Sequence, residues 1–122
     1  MSYTRHHAIV LTSWSAERLA EAHAKAVELG CTVSNITEAG MNAYRSFLVA
    51  PDGGDEWRSD SERGWQRRCA LVDWLRERYY EDGSSTIAWV EVQFGDDYSR
   101  MTKATRSSDH DQLGIADVEE VY

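Results

Sequence analysis

The hydrophobic period switches early in this chain, and that switch constrains the fold more than any single motif. Residues 6–12, HHAIVLT, are apolar and β-branched in the manner of a strand. The segment that follows, SAERLAEAHAKAVELG, is Ala-rich and helical. Leu19, Ala22, Ala26 and Leu29 recur there at i, i+3, i+7 and i+10, which makes one apolar stripe. Ser15 is placed to cap the first turn, Glu17 suits the positive end of the helix dipole, and Gly30 stands where a left-handed terminator belongs. Residues 31–37, CTVSNIT, and 43–50, AYRSFLVA, read as two further strands separated by EAGMN.

PDGG at 51–54 is a turn by composition, because Pro fixes φ and Gly accepts positive values. A second helix is expected after it. Ser59 and Glu62 have capping-box spacing, and Trp65, Cys69, Val72, Leu75 and Tyr79 follow at helical spacing until Gly83. STIAWVEVQF, 85–94, alternates as a strand does, with Ala88, Val90, Val92 and Phe94 on one face and Trp89, Glu91 and Gln93 on the other. The polar-alternating side is the natural candidate for solvent, which makes Trp89 an exposed aromatic on an open sheet face. GDD at 95–97 signals a hairpin, and 98–105 can return as a last strand. The order β-α-β-β-α-β plus one strand predicts an α+β fold. Its expected form is a ferredoxin-like split βαβ two-layer sandwich with an extra C-terminal strand.

One domain over 1–106 and an acidic tail over 107–122 are expected. The tail holds five carboxylates and no Lys or Arg, yet Leu113, Ile115, Val118 and Val121 give it the means to dock. The whole chain of 122 residues has a net charge of −8, so it repels phosphate backbones and direct nucleic-acid binding is not expected. Its longest apolar runs, such as Ala8–Leu11, are too short to span a membrane, and MSYTRHH lacks the apolar core of a signal peptide. Cys31 and Cys69 form neither a CxxC pair nor a disulfide framework. The expected setting is the cytoplasm, with free thiols.

Catalytic signals are sparse. Neighbours in a strand point to opposite faces, so His6 and His7 cannot serve one site without a bulge. No histidine stands in an H-x-[ST] motif, and there is neither a G-x-S-x-G nor a phosphate-cradling Gly loop. The acidic run Asp52, Asp55, Glu56, Asp60 and Glu62 lacks the order of a calcium loop, so no metal and no cofactor are expected. Three binding surfaces remain. Arg63 and Arg67 share a face of the second helix as a partner-binding patch. Asp109 and Asp111 belong to the acidic tail, which could imitate a phosphate surface. For a small anionic ligand, the candidates are His6 or His7, Arg45, Arg100 and Lys103, with stacking from Trp89.

RHHAIVLTSW, SFLVAPDGG and WVEVQFGDD together resemble a group of small accessory proteins encoded in phage genomes and bacterial mobile elements. The resemblance spans most of the chain and brings no catalytic motif. It implies a small cytoplasmic protein, in the host cytoplasm if phage-encoded, that counters host defence by binding. The expectation is a non-enzymatic homo-oligomer that sequesters a small anionic, nucleotide-type signal or blocks a host protein. The competing classes are a small nucleotide hydrolase with a His6 or His7 base, and a regulatory or structural phage protein without a ligand.

Overall fold

The computed structural model describes residues 6–51, 59–95 and 102–109. They form strand β1 (His6–Ser13), helix α1 (Ala16–Glu28), a 3-10 turn (Met41–Ala43), β2 (Arg45–Val49), α2 (Ser59–Glu77), β3 (Ile87–Phe94) and β4 (Lys103–Ser107). The four strands make one sheet in the order β2-β1-β3-β4, with every adjacent pair antiparallel. The protein is therefore α+β, with a four-stranded antiparallel sheet and two helices.

The first helix follows its sequence signals. Ser15 Oγ accepts a hydrogen bond from Arg18 N at 3.2 Å. Leu19, Ala22 and Ala26 are fully buried, Leu29 packs against the same core, and Gly30 takes a φ of +87° just past the last turn. The core is completed by Ile9, Leu11, Phe47 and Val49 from the sheet, Leu71, Val72 and Leu75 from α2, and Ile87 and Trp89 from β3. Those strand positions all share one parity, so the helices pack on one face of the sheet.

Several boundaries move, each for a local reason. The segment expected as a strand over 31–37 becomes an irregular edge beside β2, with a single bridge, Val33 to Val49. Ser34 N donates to Leu48 O at 2.9 Å and Thr37 N to Ser46 O at 2.8 Å, as in a ladder. The return bonds go to side chains instead: Leu48 N donates to Ser34 Oγ and Ser46 N to Thr37 Oγ1. Hydroxyls that take the place of carbonyls interrupt a regular strand. β2 starts at Arg45 rather than 43 because Asn42 and Ala43 both have positive φ, near 60°. α2 ends at Glu77, and Gly83, with φ +85°, closes a later turn through its N–H to Tyr80 O.

The largest correction concerns β3. Ile87, Trp89, Glu91 and Gln93 are the buried positions, and Ala88, Val90, Val92 and Phe94 point the other way. Trp89, expected at the surface, is 3% exposed and donates from Nε1 to Tyr79 Oη at 3.0 Å. At the strand's far side, Ser108 is buried and its Oγ accepts from Trp89 N at 3.0 Å, so the sheet contact continues one residue past β4.

This parity gives a direct expectation. Trp89→Ala will lower stability by about 3–5 kcal/mol, the usual cost of emptying a buried aromatic site. Ala88→Ser, on the neighbouring position, will stay within about 0.5 kcal/mol. Urea midpoints of the two variants check this, and the reverse ranking contradicts the assignment of faces.

Candidate functional site

The two faces of the sheet carry opposite chemistry to what an alternating strand suggests. Under α2, the inner face holds a buried ionic cluster. Glu91 is fully buried at the centre of β3. Arg106, its register partner on β4, grips the carboxylate with two bonds of 2.8 Å, Nε to Oε1 and Nη2 to Oε2. Arg68 from α2 donates Nε to Oε2 at 3.0 Å. Thr105 donates its hydroxyl to Oε1 at 2.7 Å, next to a register shift in the β3–β4 pair at Glu91 and Val92. Trp65 roofs the cluster, with the Arg106 guanidinium 4.6 Å and that of Arg68 5.9 Å from its ring centre. Arg106 Nη1 also donates to Cys69 Sγ at 3.4 Å.

Burial pushes the Glu91 carboxyl up, but the hydrogen bonds and charge of Arg106, with Thr105 and Arg68, outweigh it and hold the group below its ordinary value. Burial likewise works against the Arg106 charge, and Glu91 outweighs it, so Arg106 is held more firmly protonated than usual. Cys31 lies nearby, beside Arg67 and Arg68. Burial raises its thiol despite those two cations, so Cys31 is not an activated nucleophile.

The outer face is different. Its outward positions are His6, Ala8, Val10 and Thr12 on β1, Ser46 and Leu48 on β2, Ala88, Val90, Val92 and Phe94 on β3, and Ala104 and Ser107 on β4. None of them is Asp, Glu, Lys or Arg. Val10, Leu48 and Phe94 are each 38–40% exposed. Between β1, β3 and β4 this face forms a shallow depression of about 370 Å³, lined among others by Val10, Ala88, Val90, Ala104, Ser107 and Asp109.

The anionic-ligand candidates are only partly brought together. His7 and Lys103 both flank Gln93 on the inner side, where His7 Nε2 lies 3.2 Å from Gln93 Oε1 and Lys103 is the register partner of Gln93. His6 points outward, with its ring 5.4 Å from Phe94. Arg45 lies at the opposite end of the sheet, opposite Ser13, beside a hollow against α1. Trp89 is in the core, and Arg100 lies outside the described residues. Of the partner-binding candidates, Arg63 and Arg67 are exposed on α2, Asp109 is exposed after β4, and Asp111 lies outside the described residues. His6 and His7 face opposite sides of the sheet, so they form no catalytic pair.

Glu91, Arg106, Arg68 and Thr105 were not singled out by sequence. The available signal was parity: the two bulky residues Ile87 and Trp89 share the side of Glu91. Among the described residues, no three His, Cys, Asp or Glu side chains could hold a metal ion, and no helix is long and apolar enough to cross a membrane. No protein-family model, curated protein or solved structure matches the chain.

Glu91 titrates lower in the folded state than in the unfolded chain, so its stabilising contribution is complete above an ordinary value of about 4.5 and is lost as the pH falls through the lower folded value. Glu91→Gln will cost about 3–5 kcal/mol near neutral pH, because it leaves two buried guanidiniums without their carboxylate. Denaturant unfolding from pH 7 downward will show the variant's deficit shrinking below about pH 4.5. A deficit independent of pH would contradict the ionic assignment.

Proposed function

We propose that this protein is a non-enzymatic accessory module that binds another protein through the uncharged outer face of its sheet. One observation carries the reading: on a chain of net charge −8, no outward strand position among the described residues is charged. A solvated antiparallel face ordinarily shows polar side chains, and a contiguous exposed apolar patch marks an interaction surface. On so acidic a molecule, an uncharged face is a place where contact costs little desolvation.

The architecture is consistent with a split βαβ unit. The sheet order is β2-β1-β3-β4, and the hydrogen bonds of the edge segment 32–37 beside β2 support reading it as the ferredoxin-like arrangement with β4 as the extra strand. The setting suggested by the resemblance is an accessory protein of a phage or mobile element that acts in the host cytoplasm by blocking a host protein.

A second reading, capture of a small anion, has one observation in its favour: His7, Lys103 and Arg106 lie on the inner side of the sheet, and Arg68 reaches that side from α2. Glu91 competes for that role, since it already engages both guanidiniums. The hollow beside Arg67 and Arg68 holds about 20 Å³, room for a single water.

Affinity capture from host lysate, followed by quantitative mass spectrometry, separates the readings. Val90→Asp, checked for folding by circular dichroism, will weaken capture of the partner about tenfold or more, as a charge in an interface core does. Arg63→Ala will leave it unchanged. Capture indifferent to Val90→Asp would sink the outer-face reading. Titration with ATP that releases heat in the parent, persists in Val90→Asp and vanishes in Lys103→Ala would establish the anion reading in its place.

A further inference from the structure

We propose that the hollow between the start of α1, the edge segment and the first residue of β2 is a binding site for a free α-amino acid with an aliphatic side chain. The hollow measures about 300 Å³ and is lined by Ala16, Ala20, Ile36, Thr37, Glu38 and Arg45. Arg45 shares the parity of the buried Phe47 and Val49, so it belongs to the helix-covered side of the sheet. The site is thus separate from the outer face, and the proposal is independent of the protein-binding reading.

The hollow has a local origin. Ala16 and Ala20 stand one turn apart on α1, so the helix offers no bulk toward the edge segment there. Thr37 N donates to Ser46 O at 2.8 Å, which brings the adjoining residues, Glu38 and Arg45, to the same end of that ladder. Neither Glu38 nor Arg45 takes part in an ion pair among the described residues.

The lining chemistry selects the ligand. Arg45 offers a guanidinium fork to a carboxylate. Thr37 Oγ1 accepts from Ser46 N at 3.0 Å, which leaves its own O–H to donate to the same carboxylate. A phosphate or a dicarboxylate would meet the like charge of Glu38, and a simple amine would meet that of Arg45. A zwitterion turns both groups into partners. Only a free α-amino acid carries both charges on one carbon; a residue inside a peptide carries neither. Ile36, Ala16 and Ala20 supply an apolar wall for its side chain. The volume stands at the lower end of the range of ligand pockets, about 300–1,000 Å³, and suits one small metabolite.

The test is an amide NMR titration of the full chain with three compounds: L-leucine, 4-methylpentanoate, which lacks the ammonium group, and isoamylamine, which lacks the carboxylate. Leucine is expected to give saturable shifts at Ile36, Thr37, Glu38 and Arg45 with a Kd of about 1 mM, and each analogue to bind about tenfold more weakly or worse. Arg45→Gln will weaken leucine about tenfold. Glu38→Gln will also weaken leucine, yet it will strengthen 4-methylpentanoate, because the repelling charge is gone. Absence of saturation by about 10 mM leucine, shifts that lie away from the hollow, or leucine and 4-methylpentanoate bound equally well would each overturn the proposal. The comparison of ligands needs no variant, so it decides the matter even if Arg45→Gln disturbs the fold.

Discussion

The buried carboxylate of Glu91 sets the orientation on which the rest of this molecule depends. β3 is nearly balanced between its two faces. One offers Ile87 and Trp89 to the core, the other Ala88, Val90, Val92 and Phe94. Burial of each large apolar side chain contributes about 1.5–3 kcal/mol, so hydrophobicity alone leaves little to choose between the two. A slip by one residue would exchange them completely. The guanidiniums of Arg106 and Arg68 decide the matter, because only one register meets them with a carboxylate. A lone buried guanidinium costs several kcal/mol, which penalises the slipped state more than the ion cluster stabilises the native one.

The outer face follows from that choice. Once Glu91 and Gln93 turn inward, the strand turns only apolar residues, Ala88, Val90, Val92 and Phe94, to the outer face. The neighbouring outward positions on β1 and β2 bring Val10 and Leu48 alongside, with only His6, Thr12 and Ser46 for polarity. The ionic cluster and the apolar surface are thus two sides of one strand. The polar network fixes the register of β3, and the opposite face of the same strand carries no charge. On the same sheet His6 and His7 face opposite sides, and burial raises the Cys31 thiol.

Much of the architecture was legible in the sequence. The Ser15 cap, the Leu19–Ala22–Ala26 stripe and the Gly30 terminator rest on local rules, and each appears where those rules place it. The strand over 31–37 was harder to read, because hydroxyls of Ser34 and Thr37 took over ladder bonds that only the fold reveals. β3 misled for a different reason. Alternation fixes which residues share a face but not which face is inside, and a Glu beside a Trp is conventionally read as solvent-facing. The arginine that reverses that reading lies fifteen residues away, on the antiparallel neighbour β4. The outer surface was expected to be the face of Trp89 and proves to be that of Val90.

The most direct measurement is a carbon-detected NMR titration of the Glu91 side-chain carboxyl. The account predicts a midpoint below the ordinary value of 4.5, with the Nε–H signals of Arg68 and Arg106 moving in step as the carboxyl is protonated. A carboxyl that titrates at its ordinary value of 4.5, with both arginine signals unmoved, would place Glu91 in solvent and return Val90 to the core, and one that titrates above 4.5 would contradict the pairing with Arg106 and Arg68.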